Sequence, residues 1–150
     1  SWRTILEKRE GYRHQYEGFD PSKVAKFNAV KIESMLQDAG IVRHRGKLEA
    51  SVKNAKIFLK LQEEHGSFAK YIWQFVDYQP IQNRWKDMSQ VPGSTPQSVA
   101  MSKALKMLGM NFVGPTICYA FMQATGMVND HEVSCFRYEF CKQKVETLAF

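Results

Sequence analysis

Apolar residues in this chain recur every three to four positions, the spacing that gathers them on one face of a helix. Leu48, Val52, Ala55 and Leu59 do so across a stretch that predicts one long amphipathic helix from about Arg43 to Glu64. Shorter helices flank it. Ser1-Trp2 begins the sequence already in helical pattern and without a methionine. Asp20-Pro21 starts a short helix through Val24 and Phe27, and Asn28 caps another that buries Ile32, Met35 and Leu36 before Gly40 stops it. Ser67 caps a further helix whose Phe68, Ile72 and Phe75 point inward. From Asp77 to Gly93 the pattern lapses into a polar loop containing Pro80, Pro92 and Gly93. No alternating strand pattern, internal repeat or low-complexity run breaks the helical punctuation. The predicted fold class is all-α.

Two short helices joined by a tight glycine hairpin stand out within it. The first opens at Thr95-Pro96 and closes at Gly109, with Met101, Leu105 and Leu108 at helical spacing. The second begins at Gly114-Pro115 and ends at Gly126, with Ile117, Phe121 and Ala124 on one face. Such a hairpin leaves backbone N–H groups free at a helix N-terminus, where they suit a phosphate. The candidates for gripping a nucleic-acid backbone are Gly109, Gly114, Pro115 and Thr116, with Lys103 and Lys106 as flanking phosphate contacts. The same pattern also fits a plain α-α corner in a helical core.

Charge agrees with a polyanionic partner without requiring one. The 150 residues carry 21 Lys and Arg against 15 Asp and Glu, a net charge of +6. Cys118, Cys135 and Cys141 form no obvious disulfide framework, which favours a reducing compartment, and Cys118 falls on an apolar face as core. No apolar run approaches the ~20 residues of a membrane span. The basic run Arg43-His44-Arg45-Gly46-Lys47 opens the long helix, where cations sit unfavourably against the helix dipole. Three readings stay open for it: a solvated face, a structural ion pair, or a face turned to DNA. The fingerprints of P-loops, dinucleotide folds, zinc proteases and nucleophile elbows are missing.

Four ordered segments make a resemblance specific. They are Ser1-Trp2-Arg3-Thr4-Ile5-Leu6-Glu7-Lys8-Arg9-Glu10, Gln37-Asp38-Ala39-Gly40-Ile41-Val42-Arg43-His44-Arg45-Gly46-Lys47, Phe112-Val113-Gly114-Pro115-Thr116-Ile117-Cys118-Tyr119 and Gly126-Met127-Val128-Asn129-Asp130-His131. In this order the chain resembles the bacterial constitutive DNA-3-methyladenine glycosylases of the helix-hairpin-helix superfamily. The resemblance runs from Ser1 to about position 138, and residues 139–150 read as a variable tail. It implies a helix-hairpin-helix glycosylase domain lacking an N-terminal segment of a few dozen residues. That segment would hold the family's base-recognising carboxylate and tyrosines, so no position here inherits the acid. Trp2 resembles the aromatic wall for the flipped base. An indole face attracts a flat cation such as 3-methyladenine, although by itself a tryptophan there also reads as a core anchor.

Many superfamily members place a catalytic Asp in a Val-Asp-X-His run just after the hairpin. Here Val128-Asn129-Asp130-His131 puts an amide in that place, and Asp130, one residue on, is expected to face elsewhere on a helix. Asn129 cannot activate water or stabilise an oxocarbenium ion as a carboxylate would. His131 and Cys135, four apart, can reach one metal ion, and Cys141 is a possible third donor by residue type alone. The resemblance implies structural Zn²⁺ completed by a Cys and a His from the upstream segment, leaving His131 and Cys135 as a half-site.

The expected function is base-excision repair: flipping 3-methyladenine from alkylated duplex DNA and hydrolysing its N-glycosidic bond to leave an abasic site, without a Schiff-base lysine. The alternative is a non-catalytic module that grips DNA backbone. A cytoplasmic, nucleoid-associated bacterial monomer is expected.

Overall fold

The computed structural model describes residues 1–150, apart from the side chains at positions 146 and 147, which leaves that part of the expected tail outside the described residues. The chain divides into two compact units, Ser1–Glu64 with Gly109–Phe112, and His65–Leu108 with Val113–Phe150.

The first unit holds α1 (Trp2–Glu7), α2 (Arg9–Gln15), α3 (Pro21–Val24), α4 (Ala29–Leu36) and α5 (Arg45–His65) through Glu64. Local chemistry sets their starts. The Asp20 carboxylate accepts from Ser22 N at 2.8 Å and the Asn28 amide oxygen from Lys31 N at 3.0 Å, each satisfying a first-turn donor. His44 does the same for α5, its Nδ1 accepting from Lys47 N at 3.1 Å. Tyr16, Val24, Ile32, Met35, Ile41, Leu48, Val52 and Ala55 form the core of this unit. Each large apolar side chain so buried contributes roughly 1.5–3 kcal/mol. The backbones of Gly11 and Gly40 meet: a Cβ on Gly11 would stand 2.2 Å from the Gly40 carbonyl oxygen. Between α2 and α3, Glu17, Gly18 and Phe19 are consecutive left-handed residues with φ of 53°, 66° and 61°.

The second unit holds α6 (Phe68–Trp73), α7 (Pro96–Met107), α8 (Pro115–Ala124) and α9 (Phe136–Gln143). Ser67 caps α6, and Thr95 and Ser98 form a capping box at α7. The helices α7 and α8 pack against each other, burying Met101, Leu105, Cys118, Tyr119 and Met122. Ile117, Phe121 and Ala124 share one face of α8, and that face is open. Ile117 and Phe121 are 57% and 39% exposed, and Ala124 is exposed as well. An α8 that is apolar nearly all round gives periodicity no single stripe to select. Two strand segments too short to alternate also appear, β1 (Ile81–Gln82) and β2 (Val128–Asn129), paired in parallel. The fold remains all-α around them.

Among the described residues no helix is long and apolar enough to cross a membrane. The residues expected to form a tail continue α9 and a short 3₁₀ turn, and the Phe150 ring packs against Trp73 at 5.0 Å and Tyr78 at 5.5 Å.

Candidate functional site

The hairpin turn contains two left-handed residues. Gly109 has φ of 98°, where any side chain would be strained, and its added Cβ would stand 3.4 Å from Lys53 Cε. The second is not a glycine: Phe112 has φ of 57°. Gly114, in contrast, lies at φ −65° with open space around its Cβ position, so nothing inside the fold demands a glycine there. Close approach of an external group would.

In the first unit, Asn54 on α5 clamps the turn. Its Nδ2 donates to the Asn111 carbonyl at 2.9 Å and its Oδ1 accepts from Asn111 N at 3.0 Å. Lys53 Nζ adds a 3.4 Å contact to Asn111 Oδ1. The basic run divides its labour. Arg45 pairs with Glu33 at 2.6 Å and Glu49 at 3.8 Å, while His44 meets the Phe112 ring edge-on at 6.1 Å and Lys47 Nζ sits 5.8 Å from its centroid. Trp2, on the same unit, is 84% exposed, so it is not a core anchor.

In the second unit, the Val113 carbonyl accepts from Ser102 Oγ at 2.6 Å and Cys118 Sγ at 3.4 Å, tying the end of the turn to both helices. The start of α8 at Gly114-Pro115 has no side-chain cap, which leaves the first-turn N–H groups of Thr116 and Ile117 without an intrahelical partner. Thr116 is exposed there, and Lys103 and Lys106 are exposed on α7.

The run after α8 is strand and turn rather than helix. Asn129 is 4% exposed, and its Nδ2 donates to Gln82 Oε1 at 2.9 Å and to the Tyr138 carbonyl at 3.0 Å. Asp130 is a hub. Asn83 Nδ2 and Trp85 Nε1 each donate to its Oδ1 at 2.7 Å, while Gln123 Nε2 at 3.0 Å and the Tyr119 hydroxyl donate to Oδ2. Burial pushes the Asp130 carboxyl upward, but these four donors outweigh it and hold the group below the usual carboxylate range. Burial, followed by the hydrogen bond and charge of Asp130, pushes the Tyr119 phenol well above its ordinary value. Sequence reasoning missed this hub, because Asn83 and Trp85 sit in what reads as a featureless polar loop.

Gln82, Gln123, Asn129 and Asp130 border a cleft of about 640 Å³ lined also by Trp73, His131, Cys135 and Cys141. Cys135 Sγ stands 3.9 Å from His131 Nδ1, across a turn that ends at the N-cap of α9. Two donors so placed match half of a zinc shell, which needs about four. Among the described residues no group of three His, Cys, Asp or Glu side chains could hold a metal, so Cys141 does not join the pair. The side chains present therefore do not fit a complete zinc site.

Comparison with known proteins places this arrangement. The family model of methyladenine glycosylases matches residues 1–138. DNA-3-methyladenine glycosylase 1 of Escherichia coli K12 is 49% identical over 138 residues, covering 92% of this chain and 74% of the relative. A crystal structure of 3-methyladenine DNA glycosylase I superposes with a TM-score of 0.86 at 48% identity, covering 91% of this chain and 75% of that one. A Staphylococcus aureus enzyme of the same name, solved to explain 3-methyladenine recognition, gives a TM-score of 0.86 at 35% identity, with 91% and 72% covered. With the match running through Trp2, the hairpin and the Asn129–His131 run alike, the chain belongs to the methyladenine glycosylase family.

Proposed function

We propose that this protein is a monofunctional glycosylase that removes 3-methyladenine from alkylated duplex DNA and leaves an abasic site, acting as a monomer. The observation that carries the reading is the family match across residues 1–138. In the reaction, water adds its oxygen to the anomeric carbon as the C1′–N9 bond breaks. The bonding electrons leave with the base, cancelling its positive charge, and the proton of the added water passes to solvent.

The roles divide by chemistry. Gly109, Gly114, Pro115 and Thr116 present backbone to phosphate, with Lys103 and Lys106 beside them, and the exposed Trp2 ring offers a face to the cationic base. The uncapped start of α8 and the open space at Gly114 support the grip. Both N–H bonds of Asn129 are spent inside the fold, and Asp130 is fully engaged as an acceptor, so neither is free to activate water. Methylation at N3 already makes the base a good leaving group. His131 and Cys135 would contribute two structural donors to Zn²⁺, with no part in bond cleavage.

The test is release of free 3-methyladenine from methylated duplex, followed by chromatography against the spontaneous rate. Release that falls in Trp2→Ala more than binding to undamaged DNA falls supports the assignment. Binding without any release would leave the DNA-gripping module as the correct account.

A further inference from the structure

The corner after α6 is built firmly from residues unsuited to it. Asp77 and Tyr78 are consecutive non-glycine residues in the left-handed region, at φ 52° and 60°. Hydrogen bonds among residues 70–78 hold them there. Asp77 N donates to the Gln74 carbonyl at 3.1 Å and Tyr78 N to the Trp73 carbonyl at 3.0 Å. The Tyr78 hydroxyl donates to the Lys70 carbonyl at 3.1 Å. The rings of Trp73 and Tyr78 share one neighbour, Phe150, whose centroid lies 5.0 Å from the first and 5.5 Å from the second. Together they form an aromatic slot.

The segment that fills the slot is held less firmly. Phe150 and Leu148 are 42% and 41% exposed, against 7% for Trp73. Leu148 N bonds back to the Val145 carbonyl at 3.3 Å, within the segment itself. Lys144, Val145 and Leu148 line the same cleft as Asp130, His131, Cys135 and Cys141. A chain end with few buried apolar contacts opens locally before the rest of a unit unfolds.

We infer that residues 144–150 form a strap along this cleft, latched by Phe150 in the Trp73–Tyr78 slot, whose release opens the cleft without unfolding the unit. Closed, the strap supplies one wall of the cleft. Open, it uncovers Trp73 and frees the approach to Cys135 and Cys141. Two strained residues under the slot fit this role, because strain is retained where a fold must hold a contact surface in place. The strap lies beyond the family match, which stops at residue 138, and does not depend on the DNA reading.

The experiment uses the 150-residue chain and two variants, Phe150→Ala and Phe150→Tyr. It reads the rate at which a bulky maleimide labels Cys141 and Cys135, resolved by peptide mass, beside the melting temperature. Phe150→Ala should raise the Cys141 rate about tenfold, the scale of two lost aromatic contacts, and lower the melting temperature by no more than about 4 °C. Phe150→Tyr, which keeps the ring, should label at the parental rate. Unchanged labelling in a folded Phe150→Ala would overturn the strap. A variant that unfolds, or melts far lower than this, would make Phe150 ordinary core and overturn it as well.

Discussion

Replacing Asn129 by Asp would put a carboxylate in the buried place the amide now fills, and the structure predicts that the fold suffers for it. The two side chains have the same shape, so the change is purely one of donors and charge. Asn129 Nδ2 donates to Gln82 Oε1 and the Tyr138 carbonyl from a position 4% exposed. A carboxylate turns both contacts into acceptor facing acceptor. Gln82 can answer by rotating its amide, because its Nε2 is buried without a partner. The Tyr138 carbonyl cannot. One orphaned buried acceptor costs about 1–3 kcal/mol, and a buried charge left without compensation about 3–5 kcal/mol. The new carboxyl would escape part of that by staying protonated, which means its pKa is raised in the folded state. A raised pKa contributes no loss below the unfolded value near 3.9, and the loss grows as pH rises, by at most about 1.4 kcal/mol per unit. Urea unfolding of Asn129→Asp should therefore show a deficit of about 1–3 kcal/mol at pH 4.5 that widens to about 3–5 kcal/mol at pH 7. Asn129→Ala should lose stability by an amount that does not vary with pH. A variant as stable as the parent at pH 7, or a pH-independent deficit in Asn129→Asp, would refute the reasoning.

Tyr119→Phe removes the hydroxyl that donates to Asp130 and should cost about 1.5–3 kcal/mol in chemical unfolding. Because the Asp130 carboxyl is held below its ordinary value, its contribution is complete above the unfolded pKa and disappears as pH falls through the folded one. The parent should consequently lose more stability than Tyr119→Phe on acidification below about pH 4, a difference that pH-dependent melting will read. Gly11→Ala should lower stability by about 1–3 kcal/mol, since its Cβ would stand 2.2 Å from the Gly40 oxygen and the two segments must separate; circular dichroism melting checks it. With His131 and Cys135 the donors brought together among the described residues, zinc should bind this chain weakly, so added chelator should leave the melting temperature unmoved; a stoichiometric zinc dose retained through dialysis would contradict the two-donor geometry.

Features written in adjacent residues were legible in the sequence. Asp20, Asn28, Ser67 and Thr95 each cap the helix their residue type announces, because a cap needs only a side chain and an N–H two or three positions on. Features that depend on distant partners were not. The Asn54–Asn111 clamp joins residues 57 apart, and the Asp130 hub draws Asn83 and Trp85 from 47 and 45 positions away. Periodicity groups residues on a face without saying which face is buried: on α8 the buried residues are Cys118, Tyr119 and Met122, while Ile117 and Phe121 are just as apolar and face out. The hairpin shows a third kind of failure. A search for left-handed positions looks for glycine, finds Gly109 and Gly114, and passes over Phe112, which has the positive φ that Gly114 lacks.

The Asn129-Asp130 pair joins the fold to the chemistry. Strand β2 ends at Asn129, whose amide turns into the core beside Tyr138, while the carboxylate of Asp130, the next residue, turns to the Tyr119 and Asn83 donors. Each group is matched to its side by hydrogen-bonding capacity: the buried carbonyl requires a donor, and the cluster of donors requires an acceptor. Exchanging the two would leave both sides unpaired. A general base at Asn129 would have to remain charged in that interior, with the Tyr138 carbonyl as its neighbour. A cationic leaving group removes the need for it, since departure of 3-methyladenine neutralises charge instead of creating it. The same economy predicts a narrow substrate range. Neutral bases, which leave as anions unless protonated, would call on an acid or base that neither Asn129 nor the fully bonded Asp130 can provide.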